Sequence, residues 1–127
     1  MGTLTSRIQV LRSTRELGGW SRTQLESLLG HVDEVVVPAG CALAAEGRYC
    51  SQFVVVADGY LSASRGKNGQ RTLAPGESFG WRAMWLRGTN EETLVAESDA
   101  RLLVMGHAQF RAVKGLASAS QAHASQL

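Results

Sequence analysis

The chain has 127 residues, of which 44% are apolar and 19% charged; that is enough for one domain with one core, too short for two of ordinary size, and too apolar for a disordered chain. Its formal charge of +2 comes mostly from arginines scattered along the sequence, with no run of five like charges, so no basic tract for nucleic acid is expected. No stretch approaches the ~20 apolar residues of a membrane span and the first twenty residues lack the apolar region of a signal peptide, which makes a cytoplasmic location the expectation.

In chain order, Leu4, Ile8 and Leu11 predict a short helix within an N-terminal helical segment, residues 1–19, closed by a turn at Gly18-Gly19. Next, Trp20-Ser21-Arg22-Thr23-Gln24-Leu25 carries a full helix start: Ser21 as N-cap, Gln24 closing a capping box, and Trp20 with Leu25 as a hydrophobic staple. The stripe Leu25, Leu28, Leu29 and Val32 is a core face, and Gly30 is the candidate stop.

From Glu34 the texture changes to short β-branched or alternating runs: 34–37, 42–45, 52–57, 60–65, 70–73, 77–79, 93–97 and 101–105. Turn residues separate them at Pro38-Ala39-Gly40, Glu46-Gly47, Asp58-Gly59, Asn68-Gly69, Pro75-Gly76 and Ser98-Asp99. Eight short strands at close spacing predict an all-β roll or barrel, interrupted near residues 81–87. Residues 108–113 form one more helical piece, and residues 114–127, rich in Ala, Ser and Gln, are expected to be a flexible tail.

Catalytic chemistry has no foothold in this pattern. His31, His107 and His123 lie in three different elements, and no nucleophile-elbow, zincin or P-loop motif occurs. Gly66-Lys67-Asn68-Gly69 reads as a hairpin turn, because no helix follows it. Cys41 and Cys50 fit neither a redox nor a zinc spacing and read as structural thiols, with a local disulfide left open. An enzyme is not expected, nor is a metal.

The residues Val37-Pro38-Ala39-Gly40, Glu46-Gly47, Phe53-Val54-Val55-Val56, Asp58-Gly59, Gly69, Leu73-Ala74-Pro75-Gly76-Glu77, Phe79-Gly80 and Val95 to Met105 with Phe110 occur in an order and spacing that resembles the cyclic nucleotide-binding domain family. The resemblance covers residues 20–113 and implies a mainly β fold: an eight-stranded double-stranded β-helix, a jelly-roll-like β-roll, with short flanking α-helices. In that family the ligand cassette reads F-G-E-x-A-L and, after a loop, R-[ST]-A. Backbone N–H groups and the arginine hold the cyclic phosphate, while the glutamate accepts from the ribose hydroxyl.

On this pattern Phe79, Gly80 and Ala83 keep their places, but Trp81 stands at the glutamate position. Counting back from Thr93, Asn90 falls on the arginine, and Glu91 and Glu92 on the residues after it. A carboxylate ~5 Å from a phosphate at an effective dielectric of ~20 costs about 3 kcal/mol, in addition to ~2–5 kcal/mol for the lost arginine contact. Ordinary cAMP or cGMP binding is therefore disfavoured, and no cofactor is expected.

Two routes to a small anionic ligand stay open. Arg82 or Arg87 can swing in to replace the guanidinium, unless both face solvent, and backbone donors after Gly80 survive any side-chain change. Trp81 and Trp85 share a helix face; one indole fills the nucleotide cavity, or both stand outside as a protein contact. With seventeen residues after Phe110 and no heptad seam in them, DNA binding by this chain is not expected. The expected function is a non-enzymatic regulatory domain, impaired in cyclic nucleotide binding and acting on a protein partner or as a homo-oligomer. The alternative is a sensor that takes a cyclic nucleotide or another anion in a different way.

Overall fold

Phe53-Val54-Val55-Val56 and Leu102-Leu103-Val104-Met105 are unbroken apolar runs, which a strand tolerates only when both of its faces are covered. The structure, a computed structural model, describes the backbone of residues 4–67 and 69–125 and the side chains of 7–67 and 69–117. Asn68 of the expected turn and the last two residues of the tail lie outside the described residues. The two apolar runs form the paired strands β3 (Gln52–Asp58) and β8 (Ala100–Gly106), in register from Gln52 opposite Gly106 to Val56 opposite Leu102.

The remaining strands are β1 (Asp33–Val37), β2 (Ala42–Ala44), β4 (Leu61–Ser64), β5 (Gln70–Leu73), β6 (Ser78–Phe79) and β7 (Thr93–Ala96). They make two four-stranded antiparallel sheets in the orders β1-β8-β3-β6 and β2-β7-β4-β5. All eight expected strands are present, with no end moved by more than one residue, and the β-roll follows from them. Between the sheets, Val54, Val56, Leu102 and Val104 pack on Leu61, Leu73, Phe79 and Leu94. On the other face of the first sheet, the alternate residues Phe53, Val55, Leu103 and Met105 pack on the helices. Two cores thus share one sheet, and the period-2 alternation is hidden because both faces are apolar.

The outer core is covered by α1 (Leu4–Ser13), α2 (Arg22–Leu29), α3 (Trp81–Leu86) and α4 (His107–Ser125). The capping box forms as expected: the Gln24 amide donates to Ser21 Oγ at 3.1 Å and the Ser21 amide to Gln24 Oε1 at 2.9 Å. Gly30 caps α2 in a right-handed conformation, φ −66°, so that stop does not use glycine's special freedom. Buried Thr14 ends α1, its hydroxyl donating to the Leu11 carbonyl at 2.7 Å and accepting from the Leu17 amide at 3.3 Å. The backbone is helical from His107 through Ser125, into the stretch 114–127 expected as a flexible tail; alanines there favour the helix that His107 starts. No helix among the described residues is long and apolar enough to cross a membrane.

The turn that starts α3 is set by Gly80, at φ +98°. A Cβ on it would stand 2.8 Å from the Gln52 carbonyl oxygen, so both the dihedral and the close approach to β3 require glycine. Gly80→Ala is expected to lower the unfolding free energy by roughly 2–3 kcal/mol, read from urea denaturation.

Cys41 and Cys50 are both free thiols. Burial pushes the Cys50 thiol up, partly offset by its hydrogen bond to the Gln52 carbonyl. A neutral buried thiol is a poor nucleophile. Iodoacetamide at pH 8 should therefore label half-buried Cys41 first and leave Cys50 unreacted until the chain unfolds, as peptide mass mapping will show.

Candidate functional site

Strand parity places two charged residues on the apolar side of the second sheet. In β5, Leu73 faces the core, so Arg71 two residues earlier shares that face; before β7, Glu92 is related to buried Leu94 in the same way. Arg71, Ala63 and Leu94 are register partners across three strands. The small side chain of Ala63 leaves the row low in the middle. Arg71 Nε donates to Glu92 Oε2 at 3.0 Å and Nη2 to Oε1 at 2.9 Å, a two-pronged ion pair. Its partners are unequally exposed, Arg71 52% and Glu92 17%.

This pair forms part of the wall of a cleft of about 270 Å³. The opposite wall is the turn from β6 into α3, and all the predicted cassette residues line the cleft except Arg87. Gly80 aims α3 across the opening, Phe79 and Ala83 are buried in its floor, and Arg82 stands exposed at its lip. Arg82 has no ion pair or hydrogen bond within the described residues. Arg87 caps the far end of α3 in the left-handed conformation, φ 52°, and is not among the residues that line the cleft. Of the two candidate replacement cations, only Arg82 is in place.

Asn90 is buried and engaged elsewhere. Its side-chain amide donates to the Ala45 carbonyl at 3.0 Å, its backbone N–H to the Arg48 carbonyl at 2.7 Å, and its carbonyl accepts from the Gly47 amide at 2.9 Å. It ties the loop after β2 to the loop before β7. Exposed Glu91 turns to Arg65, with Nη2 to Oε2 at 3.3 Å. Glu91 and Glu92 thus take different arginine partners, as adjacent residues on an extended chain must.

The packing places the tryptophans between the cleft and α4, with Trp81 also lining the cleft. Trp81 and Trp85 are half-buried, and their indoles meet Phe110 at 5.4 and 6.0 Å between ring centroids, with Trp81 also 5.3 Å from Phe53. The Lys114 ammonium lies 5.5 Å above the Trp85 ring. Edge-to-face stacking on the outer core holds both indoles against Phe110 of α4.

Sequence reasoning passed over three cleft residues: Arg71, Glu16 and Ser78. The Ser78 hydroxyl donates to Glu16 Oε1 at 2.6 Å, bridging the α1–α2 connection to β6. Parity within β5 was a usable signal for Arg71. Nothing local signals Glu16, whose partner is 62 residues away. The cleft therefore carries three carboxylates, Glu16, Glu91 and Glu92, against two guanidinia, Arg71 and Arg82. Within the described residues no group of three or more His, Cys, Asp or Glu can hold a metal ion.

The sequence matches the family model of the cyclic nucleotide-binding domain over residues 34–114. No curated protein matches it. Among solved structures it is similar to the regulatory domain of Toxoplasma gondii PKA crystallised with cAMP, at TM-score 0.75 and 20% identity, covering 85% of this chain and 43% of that one. It is also similar to a cyclic nucleotide-binding-like protein from Brucella abortus, at TM-score 0.71 and 22% identity over 83% of this chain and 94% of that one. A third likeness is to the N-terminal domain of a transcriptional regulator from Streptomyces coelicolor, at TM-score 0.73 and 21% identity over 92% and 88%. At these identities the likeness is one of fold. The chain spans less than half the length of the Toxoplasma protein's chain.

Hydrogen bonds from Arg71 hold the Glu92 carboxyl below the usual carboxylate range, against the opposing effect of burial, and the same bonds raise Arg71. A lowered carboxylate stabilises the fold above its unfolded-state value, and this contribution is lost as pH falls through the folded-state value; Arg71 stays charged throughout. Glu92→Gln should therefore flatten the fall in stability between about pH 5 and pH 3 by about 1 kcal/mol, measured by urea unfolding at stepped pH.

Proposed function

The chain belongs to the cyclic nucleotide-binding domain family, and on that premise we propose that it is a non-enzymatic regulatory domain whose ordinary capture of a cyclic phosphate is lost. The observation that carries this reading is the Arg71–Glu92 ion pair standing in the cleft while Asn90, at the arginine position, is turned inward to Ala45. A phosphate entering here meets a net acidic wall, with Arg71 already paired to Glu92 and the one unpaired guanidinium of the lining among the described residues, Arg82, exposed. Side-chain replacement at 90 alone does not restore the site, because Asn90 also joins two loops.

Signal output through protein contacts is supported by Leu86, 68% exposed at the end of α3, the helix that the cleft and α4 share. The partner is a protein or a second copy of the chain. A second reading, a sensor for an anion bound in a different way, is favoured by Arg71 and Arg82, since both line the cleft and neither stands at the family's arginine position.

Isothermal titration with cAMP and with cGMP tests the loss of capture. The expected result is no saturable binding tighter than about 100 µM, some −5 kcal/mol. Micromolar binding of either nucleotide refutes it.

A further inference from the structure

We propose that Arg71 is an anion-binding residue of this cleft and that Glu92 is a built-in carboxylate occupying its guanidinium fork. The ligand class that follows is a small molecule bearing an oxyanion, a phosphate or a carboxylate, and Glu92 rather than Asn90 is the residue that denies it entry. This rests on the reading of the cleft given above.

Four observations carry it. The contact is two-pronged, through Nε and Nη2 at 3.0 and 2.9 Å, and a guanidinium fork presents the same pair of donors to a carboxylate and to a phosphate. The pair is asymmetric: Glu92 is 17% exposed and Arg71 52%, so the cation is the accessible member. Arg71 comes from β5, across Ala63 from β7, where no cassette residue of the family pattern lies; it supplies a guanidinium from the wall facing α3. Finally, the cleft of about 270 Å³ lies just under the ~300–1,000 Å³ of ordinary ligand pockets, and the ion pair forms part of its wall. An ion pair that served only the surface would need neither the inward parity nor the placement in a cleft.

The test titrates cAMP and, separately, inorganic phosphate into the intact chain, followed by amide chemical shifts. It compares the wild type with Glu92→Ala, Glu92→Gln and the double variant Glu92→Ala/Arg71→Ala. Glu92→Ala is expected to bind cAMP about tenfold or more tighter than the wild type, Glu92→Gln to gain less, and the double variant to return to the wild-type level. A matching gain for phosphate alone assigns the effect to the oxyanion; a gain for cAMP only shows that the nucleoside contributes. Either supports the role of Arg71.

The proposal is overturned if folded Glu92→Ala, checked by thermal unfolding, gains for neither probe, or if the double variant keeps the gain, which would point to Arg82. Should Glu92→Ala fail to fold, the near-isosteric Glu92→Gln decides by the same criterion. Tight cAMP binding by the wild type would instead overturn the loss of capture itself. Weak wild-type binding with no gain in the variants overturns only the role of Arg71.

Discussion

Burial of β3 and β8 on both faces is the constraint on which the architecture rests. Because their inner residues join the two sheets and their outer residues hold the helices, one hydrogen-bonded pair of strands belongs to both cores. Fully burying one large aliphatic or aromatic side chain contributes about 1.5–3 kcal/mol relative to leaving it exposed, and eight such residues lie on these two strands alone. The cassette depends on this pair directly. Gly80 approaches the backbone of Gln52 at the start of β3, and Phe53, the next residue, is the floor on which Trp81 rests. The position of α3 is therefore a consequence of strand packing, and the cleft beneath it inherits that position.

Electrostatics then decide what the cleft accepts. A phosphate cradle works by presenting donors with no competing acceptor nearby. In this molecule each charged group within reach is already engaged or sits at the lip: Arg71 with Glu92, Glu91 with Arg65, Glu16 with Ser78, and Arg82 outside. Half-exposed ion pairs of this kind contribute little to stability, on the order of 1 kcal/mol each. On the proposed reading their effect on binding is larger, because an anion would have to displace an internal carboxylate and then lie beside it. Low cost to the fold and high cost to an anion can coexist in the same pair of side chains.

The aromatic group formed by Phe53, Trp81, Trp85 and Phe110 joins the cassette helix to the C-terminal helix. Edge-to-face contacts among four rings are directional as well as apolar, so α3 cannot shift without disturbing α4. Trp81 both lines the cleft and packs on Phe53 and Phe110, so one side chain of α3 links the cleft to the C-terminal helix.

Residues close in the chain explain what was legible beforehand. The Ser21–Gln24 capping box, the eight strands and the glycine turns such as Asp58-Gly59 are all local patterns, and spacing along the sequence is sufficient to read them. In the Ala/Ser-rich segment after Val113 composition alone does not show that the backbone continues α4. Tertiary structure alone decided the remainder: that Arg71 meets Glu92, that Glu16 meets Ser78, that Asn90 turns to Ala45, and that the indoles lean on Phe110. Each of those contacts joins residues 21 to 62 positions apart, and their geometry depends on how the sheets register and close. A side chain's face can be read from strand parity, but its partner is chosen by the packing that brings distant strands together.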